Sequence, residues 1–329
     1  LYKRGAEFVD ERTDQRRAFD FHDALPGCPG HAWQVERAWF DQQLLECALA
    51  AGVRVRYDAK VLRVDLGEDR VEVQTRDQTL VARYLVDASG QNRLLARQLG
   101  SAEPLRRFGH TAAFMRFDGA SEATLEEIGE GHDIRILVTA LGWGWIIPLP
   151  DRRLSVGLVC REGPPAAQRV GQYIEQSPLI QRWTAGCTAS EVRTERNFSF
   201  TNRRPHGRRF ACIGDSACFL DPVFSSGISL ALVGAEDLVA RLVPALAAGH
   251  EGDPALMEPH WAFMEPAYET FWAMIDRFYN TRFLEHFIFG PRGDAKIHAE
   301  IVSVLAGDVW RDDNDFQRML LRSRRRQAS

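Results

Sequence analysis

The sequence predicts an α/β protein with a second β-sheet and a C-terminal helical region. Three features predict it: two strand-turn-helix junctions far apart in the chain, a series of short valine-rich runs, and an aromatic helical stretch from His260 onward. The first junction is the strand Arg83-Tyr84-Leu85-Val86-Asp87-Ala88, which ends at Ser89-Gly90 and leads into Arg93-Leu94-Leu95-Ala96-Arg97. The second runs through the apolar strand before Asp215 and an abrupt Gly-Asp turn to a long apolar helix from Ser226 to Leu246. Ligands in α/β sheets bind at the carboxyl ends of strands, so both junctions are candidate sites.

The elements follow in order. Trp39 to Ala51 has the i, i+3, i+4 spacing of an amphipathic helix and stops at Gly52, a natural cap. Val53 to Asp87 alternates in short polar-broken runs, beginning with Val53-Arg54-Val55-Arg56-Tyr57, and reads as a β-meander feeding a more buried strand. Between Thr111 and Cys160 four strand-like segments predict the second sheet, and a helix is expected from about Ala166 to Gln176. The aromatic residues beyond His260 read as helical core packing, and the tail Arg322 to Arg326 as a fraying end. The expected division is 1–100, 101–200, 201–250 and 251–329, with the first and third parts forming one ligand-binding domain, the second the substrate-side sheet and the fourth the helical region.

With 329 residues, 45% hydrophobic and 26% charged, the chain can bury a large core, which excludes disorder as its main state. A net charge of -4 leaves no electrostatic footprint for nucleic acid or an anionic membrane, so small molecules and modest protein surfaces are the expected partners. No apolar run reaches the roughly 18 to 20 residues of a membrane span, and no signal-like segment opens the chain. Six scattered cysteines show neither disulfide-framework nor metal-ligand spacing, and fit a reduced cytoplasmic setting. Only Lys3, Lys60 and Lys296 interrupt the arginine bias of the 41 basic residues.

The run Cys212-Ile213-Gly214-Asp215-Ser216-Ala217-Cys218-Phe219-Leu220-Asp221-Pro222 resembles the second FAD fingerprint of the large flavoprotein monooxygenase group, and Asp87-Ala88-Ser89-Gly90-Gln91-Asn92-Arg93 resembles that group's Asp-(Ala/Gly)-Ser-Gly turn. The resemblance implies an FAD-binding domain of the glutathione-reductase-like, para-hydroxybenzoate-hydroxylase-like kind. Gly214 permits a tight turn, Asp215 can accept hydrogen bonds from ribityl hydroxyls, Pro222 sets up a helix start, and Gly90 admits close backbone approach. No GxGxxG follows a strand near the start, so the chain is expected to lack the first βαβ unit, and its own first residues, and to bind FAD weakly or not at all as it stands.

Two features resemble the flavin-dependent halogenases in particular. Trp143-Gly144-Trp145-Ile146-Ile147-Pro148 matches the family's WxWxIP signature; indoles two apart on a strand share a face and can wall the flavin from the substrate, although two core tryptophans fit the same pattern. Lys3-Arg4-Gly5-Ala6-Glu7-Phe8 resembles the family's lysine segment, with a solvated surface lysine as the alternative. The resemblance makes Lys3 the catalytic residue, holding hypohalous acid or forming a haloamine. It places halide on the backbone N–H groups of Ser226 and Gly227, and adds Gly227 and Ile228 to the cofactor residues Asp87, Ser89, Gly90, Gly214, Asp215 and Pro222. Arg37 is either a flavin contact or a structural salt bridge. Phe224 stands where tryptophan-type halogenases carry glutamate, which points to the branch acting on phenols or pyrroles, often tethered to an acyl or peptidyl carrier protein. The activity implied by the resemblance is that of an FADH2-dependent halogenase that adds chloride or bromide to an electron-rich aromatic, its reduced flavin coming from a separate reductase. The rival readings are an FAD-dependent monooxygenase or hydroxylase, a geranylgeranyl-reductase-like oxidoreductase, and an inactive fragment.

Overall fold

The computed structural model describes all residues except 106, 107, 109, 110, 130–132, 161–165, 197, 280, 292 and 329. In chain order its strands are β1 (Tyr2–Lys3), β2 (Gly5–Asp10), β3 (Gln15–Asp20), β4 (Ala32–Trp33), β5 (Val61–Leu66), β6 (Val71–Thr75), β7 (Thr79–Ala82), β8 (Leu85–Asp87), β9 (Ala102–Pro104), β10 (Thr111–Asp118), β11 (Ile134–Val138), β12 (Trp143–Leu149), β13 (Arg153–Cys160), β14 (Thr188–Ala189), β15 (Arg193–Arg196), β16 (Phe200–Asn202), β17 (His206–Gly207), β18 (Phe210–Cys212) and β19 (Cys218–Phe219). The α-helices are α1 (Arg37–Ala50), α2 (Leu94–Gln98), α3 (Glu122–Ile128), α4 (Ala166–Gln176), α5 (Pro178–Trp183), α6 (Gly227–Ala248), α7 (Glu258–Phe278), α8 (Thr281–Phe283), α9 (Ala295–Leu305) and α10 (Asp315–Ala328). Among the described residues no helix is long and apolar enough to cross a membrane.

The chain divides into two compact units, Leu1–Ala51 with Arg107–Asn197 and Met274–Ser329, and Gly52–Arg106 with Phe198–Ala273. This partition differs from the division at 100, 200 and 250 by grouping residues 1–51 and 274–329 with the large sheet.

In the first unit the sheet runs β14-β10-β13-β12-β11-β2-β3, with β15 also on β10; every pairing is antiparallel except β11 with β2. The four segments expected between 111 and 160 are all present as β10 to β13. Val170 and Tyr173 of α4 and Ile180 and Trp183 of α5 pack with Ala113, Phe117, Ile146, Leu154, Val156 and Leu158 of the sheet in one buried cluster. Ser177 caps α5 by accepting a hydrogen bond from the Ile180 N–H, and Pro178 begins that helix, where a missing N–H costs nothing.

In the second unit β5, β6 and β7 form the expected meander, and β18 pairs parallel with β8 and antiparallel with β17. The period of two along β18 explains its two contacts. Phe210 and Cys212 cluster with Val64, Val71 and Val73 of the meander and Leu95 of α2, whereas Ala211 clusters with Leu238 and Leu242 of α6.

Three expectations are corrected. Helix α1 forms and Gly52 follows it at φ +88°, but the helix is not amphipathic, for none of its residues is buried. Its exposed large apolar residues Trp39, Leu44 and Leu49 step about 140° round the axis each time, and the half-buried Phe40 and Leu45 each follow one of them directly, so the apolar residues make no single stripe. Val53 to Tyr57 is not a strand, since no neighbouring strand pairs with it among the described residues. The tail from Arg322 belongs to α10 rather than fraying.

Trp183 is 1% exposed at the heart of the first unit's core. Trp183→Ala is expected to lower unfolding stability by about 3–5 kcal/mol, read from the denaturant midpoint at unchanged slope.

Candidate active site

Strands β8 and β18 lie side by side and parallel with Asp87 opposite Cys212, so two turns far apart in sequence meet at the carboxyl ends of adjacent strands. The Ile213 N–H and the Ser216 hydroxyl both donate to the Asp87 carbonyl, at 3.0 and 2.5 Å. The buried Asp87 carboxylate accepts from the Ser89 and Leu95 N–H groups, each at 2.8 Å, and the Ser89 hydroxyl accepts from the Leu94 N–H at 2.9 Å. Asp87 and Ser89 therefore act within the protein as the frame of the first turn. At its apex Gly90 has φ +57°, and a Cβ there would meet nothing within 4 Å, so this turn is open outward. Gly214 has φ +55° and lies close against α6, 3.2 Å separating its ideal Cβ from that of Ala231.

These turns suit a large polar cofactor. The Gln91 side-chain nitrogen is buried without a hydrogen-bond partner among the described residues, and the half-buried Asp215 carboxylate stands 3.9 Å from where a Cβ on Gly227 would be. An orphaned amide donor, an accessible glycine turn and a carboxylate acceptor match what a flavin dinucleotide presents to a protein.

Downstream, the Asp221 carboxylate accepts from the Val223 N–H at 3.1 Å, opening a 3-10 turn from Pro222 to Phe224. Ser225 turns the backbone at φ +55°, and Ser226 caps α6 by position without a side-chain hydrogen bond. The 22-residue α6 thus starts at Gly227 and Ile228 with its N–H groups uncapped by Ser226, an arrangement that favours an anion. Phe224 is buried.

In the first unit Trp143 and Trp145 share a face of β12, their ring centroids 5.8 Å apart. The Trp143 indole N–H donates to the Tyr279 hydroxyl and that of Trp145 to the Ser155 hydroxyl, both at 3.2 Å. The Trp145 ring lies across Gly157 of β13, where a Cβ would come within 2.1 Å of it. Gly144 meets the Tyr173 hydroxyl, 2.8 Å from its ideal Cβ. The Trp-Gly-Trp order is thus dictated by space: bulk toward one face, none toward the other. Pro148 lies further along the same strand, opposite Leu154.

Lys3 is buried, 8% exposed, which removes the surface-lysine alternative. Its ammonium sits 5.6 Å from the Phe21 ring centroid and forms no ion pair among the described residues. Burial pulls its pKa down to about 8, with the Asp133 charge acting in the opposite direction. The exposed Arg37 guanidinium makes two 3.0 Å hydrogen bonds to Asp41, one turn along α1. Sequence patterns assign no role to Gln91 or Gln34, and both amide atoms of the Gln34 side chain are buried and unpartnered among the described residues. The signal for Gln91 is its place inside the Asp87–Arg93 segment, but unpaired burial is visible only in three dimensions.

The tryptophan halogenase family profile matches residues 11–304. The chain belongs to the tryptophan halogenase family. Among curated relatives, a tryptophan 2-halogenase of Chondromyces crocatus is 32% identical over 67% of this chain and 45% of its own length. A 1H-pyrrole-2-carbonyl-[peptidyl-carrier protein] chlorinase of Pseudomonas fluorescens is 27% identical over 93% and 69%, respectively. The chain therefore spans about half the length of the first of these relatives and about two thirds of the second. Among solved structures, the myxobacterial chondrochloren halogenase, an FAD-dependent halogenase, superposes with a TM-score of 0.73 at 27% identity, covering 97% of this chain and 81% of that one. A flavoprotein/dehydrogenase of Cytophaga hutchinsonii shares the fold, with a TM-score of 0.84 at 24% identity over 100% and 83% of the two chains.

For this tryptophan halogenase family member, the buried lysine carries a cost with a definite pH sign. Below pH 8 the ammonium is charged in both folded and unfolded states, and its burial penalty is complete; the penalty declines as pH rises through 8 and is gone near the unfolded value of 10.5. Lys3→Met is expected to raise stability at pH 7, with the gain shrinking steadily between pH 8 and 10.5 in chemical denaturation series.

Proposed function

We propose that this chain carries out FADH2-dependent halogenation, adding chloride or bromide to an electron-rich aromatic ring of the phenol or pyrrole class, free or tethered to a carrier protein. The observation that carries the reading is Lys3, a buried amine without an ion pair among the described residues, whose proton is lost near pH 8. A group so placed carries a solvation cost, and such groups cluster at functional sites. The pyrrole chlorinase relative is named for a carrier-bound substrate, and Phe224 in place of an acidic residue is consistent with an uncharged ring.

Bound FAD, reduced by a partner flavin reductase, supplies the oxidising equivalent when it meets oxygen. The chain's residues do the rest. Gly90 and Gly214, on the frame set by Asp87 and Ser89, let backbone approach the cofactor, with Asp215, Pro222, Gly227 and Ile228 completing the cradle. The N–H groups of Ser226 and Gly227 hold halide at the positive end of α6. Trp143, Trp145 and Pro148 form the apolar wall that keeps the aromatic substrate from direct oxygenation. Lys3 receives hypohalous acid: as an ammonium it donates a hydrogen bond to the oxygen and raises the electrophilicity of the halogen; the O–X bond breaks as the ring carbon takes the halogen, the ring loses its proton, and that proton and the departing hydroxide leave as water.

The test is mass spectrometry of phenol and pyrrole substrates, free and carrier-tethered, after incubation with the chain, FAD, a flavin reductase, NADH and chloride or bromide. A halogen isotope pattern that falls roughly a hundredfold or more in Lys3→Ala is expected. Hydroxylated product in place of halogenated product contradicts the reading and makes the chain a monooxygenase.

A further inference from the structure

Lys3 cannot hold itself in place. It is the second residue of a two-residue strand, and the chain turns directly after it into β2. We propose that Asp133 is the positioning residue of Lys3: its carboxylate fastens the backbone that follows the lysine and supplies a negative charge to the buried ammonium. The inference rests on the reading of Lys3 given above.

The geometry is specific. Asp133 Oδ1 accepts from the Arg4 N–H at 3.0 Å and the Gly5 N–H at 2.9 Å, the two backbone donors immediately after Lys3. Asp133 itself directly precedes β11, whose Ile134 lies opposite Ala6 of β2, so the carboxylate is carried on the large sheet rather than on a free loop. On its other side Gly5 abuts the Phe19 carbonyl, only 2.0 Å from an ideal Cβ, so the chain after Lys3 is pinned between Asp133 and β3.

Charges elsewhere around β1 are engaged. On β1–β2, Arg4 pairs with Asp20 at 3.8 Å and with Asp133 at 3.4 Å, and Glu7 pairs with Arg135 of β11. In the turn after β3, His22 pairs with Asp20 at 3.0 Å, and Asp23 pairs with His298 of α9 at 3.3 Å. On β4 the partner of Lys3 is the uncharged Ala32, and His31 before it stacks on Tyr2. Asp133 is the carboxylate whose charge opposes the burial-driven loss of the Lys3 proton. Position and charge thus come from one side chain, and they can be separated: Asp133→Asn keeps a carbonyl to accept both N–H groups and deletes the charge, whereas Asp133→Ala deletes both.

The chain's three lysines make the measurement direct, because lysine-specific 13C labelling gives three Cε signals and Lys3→Arg identifies that of Lys3. The exposed Lys60 and Lys296 signals serve as internal references, and the denaturant midpoint of each variant reports an intact fold. The expected result for Asp133→Asn is a Lys3 titration midpoint lowered by roughly one pH unit, with the alkaline limb of halogenation moving down equally and KM for the aromatic unchanged. Asp133→Ala is expected to add a changed Lys3 chemical shift and a rate loss across the whole pH range, and Asp133→Glu to restore the midpoint but not the shift. An unmoved Lys3 midpoint in Asp133→Asn, or Asn and Ala variants that behave alike, overturns the proposal. The NMR arm judges Asp133 even if no halogenated product forms, whereas absence of product in the unsubstituted chain counts against the halogenase reading alone.

Discussion

The parallel pairing of β8 with β18 is the constraint on which the candidate cofactor site depends. Three residues on each strand suffice to bring the Asp87–Asn92 and Gly214–Ser216 turns together, and the Asp87 carbonyl is the shared fixing point for the Ile213 N–H and the Ser216 hydroxyl. Burying Asp87 is acceptable because both carboxylate oxygens are satisfied by backbone donors, which also sets where α2 begins. The side chain that most resembles a ligand contact in sequence thus serves the architecture. Gly90 is left open outward, and the Gln91 amide nitrogen is buried without a partner among the described residues.

The first unit works on a different principle, in which small residues make room for large ones. Gly157 admits the Trp145 ring on one face of β12 and Gly144 the Tyr173 hydroxyl on the other, and each indole donates one hydrogen bond. Against that rigid background Lys3 is a local destabilisation: desolvation lowers its pKa to about 8, and no ion pair among the described residues offsets the cost.

Much of this was legible in the sequence because the signals were local. The period-two runs marked β10 to β13 and the meander, Gly52 marked the end of α1, and the Gly-Asp and Ser-Gly turns marked the strand ends. The pattern failed where a partner decides the outcome. Val53 to Tyr57 alternates like a strand but pairs with none among the described residues, and α1 has apolar residues without an apolar stripe. The unpartnered burial of the Gln34 and Gln91 amides and the contacts of Asp133 were invisible for a related reason. Each is defined by a contact, or by the lack of one, across more than thirty residues or within a folded turn, and residue type alone carries no trace of it.

The most direct test of the account is amide hydrogen exchange on the chain with and without FAD. Joint slowing of exchange in residues 87–92 and 213–217, with one shared FAD midpoint and no change in the meander at 61–82, is the result predicted for two turns that form a single cofactor surface. Either turn exchanging at the same rate with and without saturating FAD would contradict it.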